Sequence, residues 1–459
     1  MGTRRRPAFL TGLPDATRRC GLSFAMLTIA LPAVAQPPAA LTLGDAARMA
    51  ARRSGAVDIA RQRVAGADAR ARQRRGALFP DLAAGVHQGS RTFNSATFGF
   101  SFRDPSGRPL LRPDGEIIGP VHTVDLRYRL SQPLLDLPGL ARYRAAQAAG
   151  RAASAELSAQ AEGAAALAAA AYIRALRGEA LVAARNADSA LAADLLAIAR
   201  DVLAAGTGIA LDVTRAQSQV ASSRARLIAA RGERTRAFLE LRHAVGLPFD
   251  APIVLRDSIE GLAKAALSTD DAAALQRAYD GRADVQALLA QEDAQRRAVA
   301  AIRWERTPQL GLVLDHGVIG RNSERLLPTY TWGVQLSVGL FDGLRRESRV
   351  QEAEAGLRET DARLRDLRGG SALEVRTALL ELAAAREAVD AAREGLSLGE
   401  QEVSQARERF TAGIAGNADV ISALLSLNAA RTLRLEALAL YHTARVALAQ
   451  ATGTVQGLP

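Results

Sequence analysis

The chain has 459 residues, a formal charge of +11 and a single cysteine, Cys20. One cysteine excludes an intrachain disulfide framework, and a basic balance raises nucleic acid as a partner. The Arg residues are interleaved with Asp and Glu along helix faces, which weighs against that partner, and the excess of Arg, with Lys264 the one Lys, reads as a composition bias and not as a function.

Residues 1–35 read as a secretory signal. Arg4-Arg5-Arg6 and Arg18-Arg19 make the basic segment, Leu22 to Pro32 a short apolar core, and Ala33-Val34-Ala35 a small-residue cleavage site before Gln36. Cys20 precedes the apolar core and is badly placed for a lipid anchor. Without the five Arg and one Asp of this segment, the formal charge falls to +7.

From Leu43 to Leu78 the pattern predicts a helix, started by Asp45 and ended at Pro80. Leu82, Ala84 and Val86 then alternate with Ala83, Gly85 and His87, a first strand that Phe98, Phe100 and Phe102 extend. Residues 103–120 are loop by their Pro, Gly and Asp content. A second strand is expected from about His122, with Val124, Leu126, Tyr128 and Leu130 opposite Thr123, Asp125, Arg127 and Arg129. An Ala-rich helix follows from Leu140 to Ala205, and Gly206-Thr207-Gly208 breaks it. A return helix is predicted over 211–244.

The order then recurs. Pro80 corresponds to Pro308, Asp136 to Asp342, and Gly206, Asp212 and Gly246 to Gly413, Asp419 and Gly453. The predicted units are residues 36–245, with a β-hairpin over 81–134 and a helical hairpin over 140–245, and residues 271–453, with a β-hairpin over 309–341 and a helical hairpin over 344–452. Residues 246–270 join them and 454–459 form a tail.

The strand Thr329–Leu340 is the clearest. Tyr330, Trp332, Val334, Leu336, Val338 and Leu340 fall on one side; Thr331, Gly333, Gln335, Ser337 and Gly339 fall on the other. A greasy face with aromatics near one end suits a lipid-facing barrel wall. The following helix carries Val375, Leu382, Val389, Leu396, Val403 and Phe410 every seven residues, with Ala378, Ala385, Ala392, Gly399 and Ala406 beside them. That seam of large and small residues suits close helix pairing. A phase step falls at Gly369-Gly370. Residues 344–412 would make a rod of roughly 100 Å. The fold class expected is therefore mainly α, internally duplicated, with a transmembrane β portion of four strands per chain. Four strands cannot close a barrel, and an open edge in lipid leaves backbone groups without partners. The barrel must be shared among chains.

These features resemble the TolC family of outer-membrane efflux proteins. The matching residues are Leu41-Thr42-Leu43 with Asp45-Ala46-Ala47, the Leu340-Phe341-Asp342-Gly343 join, and the two tips, Ala205 to Val213 and Ala412 to Val420. The resemblance implies a homotrimer whose chains close a 12-stranded barrel in the bacterial outer membrane, above a long antiparallel coiled-coil α-barrel in the periplasm. A mixed belt holding residues 246–270 and the C-terminus is implied too. Its partners would be a periplasmic adaptor protein, an inner-membrane transporter and outer-membrane lipid, with no nucleic acid and no cofactor. The implied function is the exit duct of a tripartite efflux pump. The alternatives are a type I protein secretion duct and a periplasmic coiled-coil adaptor that forms no pore. No nucleophile–base pair or phosphate loop is recognisable, so an enzyme is not expected.

Asp212 and Asp419 match family positions at the closing end of the channel. They carry two readings, a gate or selectivity ring and a charge that favours a helix N-terminus. The other matching positions hold Phe410, Ala415 and Ser422 in place of Tyr, Arg and Asp. Gly206, Gly208, Gly413 and Gly416 are expected to form the tip turns. Tyr330 and Trp332, with Phe98 and Phe100, are expected in an interfacial girdle. His87, His122 and His316 lack soft-ligand companions and are read as isolated barrel histidines, not a metal site.

Overall fold

In the computed structural model the described residues are 39–99, 103–112, 114–262, 270–412, 414 and 416–459. The expectations for the signal segment and Cys20, and for Phe100, Phe102, Lys264, Gly413 and Ala415, lie outside them.

The single helix expected over 43–78 is two. Thr42 opens α1 (Leu43–Arg53) with a capping box, its hydroxyl accepting from Asp45 N at 3.2 Å. Ser54 then interrupts the backbone and accepts from Val57 N at 3.4 Å, starting α2 (Gly55–Gly76). A serine followed by glycine is a cap signal that the Ala/Arg periodicity had hidden.

Four strands form one antiparallel sheet in the order β2 (Asp81–Asn94), β3 (Ile117–Leu135), β5 (Gln309–Gly320), β6 (Leu327–Ser337). Three strand ends differ from expectation. β2 stops at Asn94, and Ser95–Phe98 is a 3-10 turn, so Phe98 does not extend it. β3 starts five residues early, because beyond Val124 it has β2 alone as a neighbour, and Pro120, which has no N–H, is tolerated there. β6 ends at Ser337, leaving Val338 and Leu340 past its end.

Asp136 accepts from Gly139 N at 2.7 Å and launches α3 (Leu137–Ala204), which pairs with α4 (Ala210–Val245). The second half repeats this with α6 (Ala283–Arg303) before its strands and α7 (Arg345–Thr411) and α8 (Asn417–Ala451) after them. A short α5 (Asp271–Gly281) precedes α6. The heptad seam of α7 is buried at Val375, Leu382, Leu396, Val403 and Phe410 and at Ala378, Ala385, Ala392 and Gly399. Val389 and Ala406 are half-buried. Helix α7 runs unbroken through Gly369-Gly370. At Gly399 an added Cβ would lie 3.4 Å from Leu427 Cα, and at Gly178 it would lie 3.1 Å from Arg234 Cα, so each hairpin has a close backbone approach at a glycine.

α3 packs on α2, α4, α6 and α8, and α7 packs on α6 and α8. The helical layer therefore reads α2/α4, α3, α6/α8, α7, the same order as the strands above it. To one side of α3 sits a belt not foreseen in detail: β1 (Ala39–Leu41) pairs in parallel with β4 (Ile253–Leu255). Fully buried Tyr172 joins it to α3. The tyrosine hydroxyl is 2.8 Å from Leu41 O and 2.9 Å from Asp257 Oδ2, and that carboxylate accepts from Leu43 N at 2.9 Å. Burial, and then the Asp257 carboxylate, push the Tyr172 hydroxyl well above the usual tyrosine range. Leu458 and Pro459 lie against α1, with Gly44 N donating to Pro459 O at 2.9 Å.

Candidate functional site

The strand register puts Leu82, Leu130, Leu314 and Trp332 in one row across the sheet, and Val86, Leu126 and Val318 in another on the same face. This face is open to its surroundings: Trp332 is 65% and Leu336 65% exposed. The opposite face carries Asp125, Arg127, Arg129 and Asp315 beside Thr331, Gly333, Gln335 and Ser337. Its charges pair in place, Arg127 Nη2 to Asp125 Oδ2 at 2.9 Å and Arg129 Nε to Asp315 Oδ2 at 3.0 Å. Gly317 makes room for this row, since a Cβ there would meet the Arg127 side chain at 2.4 Å. Water suits one face and hydrocarbon the other. Eleven residues of β6 span about 36 Å, or roughly 27 Å of height at the usual barrel tilt, enough for the apolar band of such a wall.

Tyr330 and Trp332 lie on the apolar face near the loop end of β6, Tyr330 opposite His316, which stacks on Tyr128 at 5.2 Å. At the other end of the sheet, Phe79, Leu340 and Phe341 are strongly exposed, at 54%, 91% and 80%. The sequence signal there, Leu340-Phe341 before Asp342-Gly343, reads as a strand–helix join and hides a second aromatic edge. His87 faces Asp125 across the β2–β3 pair, and His122 is exposed. Among the described residues no three potential metal ligands come together.

At the far end of the helices, Gly206 adopts φ +75°, which only glycine takes readily, and Thr207 N and Gly208 N both donate to Val202 O. Gly416 is extended and precedes α8. Asp212 and Asp419 are each the third residue of their helices, α4 and α8, in the turn where a negative charge opposes the helix dipole. Asp212 lies 3.7 Å from Arg215, and Asp419 is exposed. The two tips are brought together by a residue the sequence did not single out. Asn417 is fully buried, and its side-chain nitrogen donates to the Asp212 carbonyl at 2.9 Å. A polar residue at a helix start reads locally as a cap, and only the neighbouring tip gives it this role. Phe410 is buried in the apolar cluster that also holds Val420 and Leu424, while Ser422 is exposed, so neither reaches the aspartates as a polar partner would.

A sheet with one apolar and one charged face, continued by helices in the same lateral order, is one arc of a tubular wall that passes from lipid into water. No helix among the described residues is long and apolar enough to cross a membrane. The chain belongs to the outer membrane efflux protein family, whose sequence pattern matches residues 46–247 and 274–454. It is thus an outer-membrane transport protein that extends into the periplasm. No curated protein sequence matches it significantly. Among solved structures it is similar to the outer membrane protein VceC of Vibrio cholerae (20% identity, 90% of this chain and 96% of that one, TM-score 0.72). It is also similar to the open state of the MtrE outer membrane channel of Neisseria gonorrhoeae (16%, 90% and 88%, 0.72) and to the CmeC outer membrane channel of Campylobacter jejuni (15%, 90% and 85%, 0.71). At these identities the likeness speaks for the fold.

Proposed function

We propose that three copies of the chain close a 12-stranded barrel above a helical tunnel and serve as the exit duct of a tripartite efflux pump. The observation that carries this reading is the pair of open edges. Among the described residues β2 and β6 each have a neighbour on one side only, and in hydrocarbon an edge of free N–H and C=O groups is prohibitive. β6 of one chain and β2 of the next run antiparallel, so the ring closes without a change of strand sense. The charged row then lines the lumen, Tyr330 and Trp332 form the girdle at the loop end, and outer-membrane lipid covers the apolar face. The tip turns at Gly206, Gly208 and Gly416 present rings of Asp212 and Asp419 at the periplasmic mouth. There a periplasmic adaptor and an inner-membrane transporter would engage.

The same reading treats residues 36–245 and 271–453 as two copies of one unit joined by 246–270. The parallel order of helices and strands in the two halves supports it. A four-stranded wall with a lipid-suited face disfavours a pore-free adaptor. The test is the mass and the conductance of detergent-extracted protein: three chains per particle and ion channels in planar bilayers are expected. A monomer, or a trimer that conducts nothing, would sink the reading.

A further inference from the structure

About three-quarters of the way along α3 toward the tips lies a carboxylate with no role in the wall or the tip turns. Asp188 of α3 is 4% exposed. Its Oδ2 is 3.0 Å from Arg185 Nη1 on its own helix, and its Oδ1 is 2.8 Å from Arg431 Nη1 on α8. Asn428 of α8, with its amide oriented by these partners, donates to Oδ2 at 3.0 Å. Arg185 also reaches across, its Nη2 donating to Thr432 Oγ1 at 2.8 Å. One buried anion thus gathers two guanidinium groups and an amide, and three of the four side chains that close the network on it or on Arg185 come from the other half of the chain. Of the other described ion pairs between the halves in the helical layer, Arg151–Asp293 is solvent-exposed and Arg177–Glu436 joins a half-buried arginine to an exposed carboxylate.

We infer that Asp188 is a positioning residue that ties the α3/α4 hairpin to the α7/α8 hairpin and so sets the width of the duct at its tips. Burying a charge among hydrogen-bonded partners adds little to stability over an apolar packing of the same volume, but it fixes one mutual orientation, because any other leaves the charge unmatched. Asp188 stands sixteen residues before the end of α3, a lever of about 24 Å. Small rotations at this level therefore become displacements of several ångström at the mouth. Below it the hairpins meet through the apolar contacts of Leu195 with Leu424 and Leu427, which tolerate sliding, and through Asn417 at the tip. The inference rests on the duct reading.

Single-channel conductance in planar bilayers tests it, on trimers verified by mass and by unchanged melting temperature. Asp188→Asn and Arg431→Gln are each expected to raise conductance at least twofold. Exchanging the charges, Asp188→Arg with Arg431→Asp, is expected to bring it back toward wild type, which a loss of mere packing would not do. Arg151→Ala, on the exposed pair, should leave it unchanged. If Asp188→Asn does not assemble, the triple variant Arg185→Leu, Asp188→Leu, Arg431→Leu leaves no charge of the network unmatched and should assemble with raised conductance. Conductance equal to wild type in the assembled variants overturns the inference. A wild-type trimer that never conducts would instead overturn the duct reading.

Discussion

At the residue scale the two tip aspartates differ more than their matching positions suggest. Asp212 has Arg215 within 3.7 Å, whereas Asp419 stands exposed in the first turn of α8. In a trimer the narrow mouth would hold three of each, and fields are focused where a pore is narrow. The expected outcome is cation selectivity in planar bilayers, against the net basic charge of the chain. Asp419→Asn should shift the reversal potential more than Asp212→Asn, and the double substitution most. If the aspartates only oppose the helix dipoles, each substitution loses about 0.3–1 kcal/mol of stability and leaves ion preference alone. An anion-selective wild type, or a double variant with unaltered reversal potential, decides for that second role.

At the scale of the element, β6 separates two environments with a period of two. Val334 and Leu336 lie on the apolar face, and Gln335 lies with Gly311 on the polar one. An arginine at 334 or 336 is expected to cost about 2–4 kcal/mol if it lies near mid-membrane, read as a lowered unfolding midpoint in denaturant with lipid vesicles. An arginine at 335 should be tolerated, since the same face of the sheet already holds Arg127 and Arg129. Equal losses at 334 and 335 would mean that the faces are assigned wrongly. The long helices follow a parallel logic. The seam of α7 alternates large residues with Ala or Gly, and the backbones approach closely at Gly399 and more tightly at Gly178, where an added Cβ would lie 3.1 Å from Arg234 Cα.

For the whole molecule, strands and helices keep one lateral order, with β2 and α2/α4 at one edge and β6 and α7 at the other. Leu373 and Leu380 of α7, 68% and 73% exposed, and Ile228 of α4, 69% exposed, add uncovered apolar surface on the helices at those edges. In the proposed duct, a chain with two such edges is completed by its neighbours. Its stability then depends on concentration, because assembly favours the folded state by mass action. Diluting the detergent-solubilised protein a hundredfold is expected to lower its melting temperature measurably. A melting temperature independent of dilution, in a particle shown to be monomeric, would contradict shared closure.

The sequence by itself determined what is periodic or local. The two-residue alternation of Tyr330 to Leu336, the sevenfold spacing of Val375 to Phe410 and the Gly206 turn are legible because each depends on residues near in the chain. So is the duplication, since equal spacings recur. Tertiary structure decided the rest. Asn417 and Asp188 are a polar residue at a helix start and an acid within a helix until a segment some two hundred residues away supplies the partner. β1 and β4 are three residues each, too short to show a pattern, and exist because they pair with one another. The ends of β2, β3 and β6 were misjudged for the same reason: a strand stops where its neighbour stops, and no single strand carries that information.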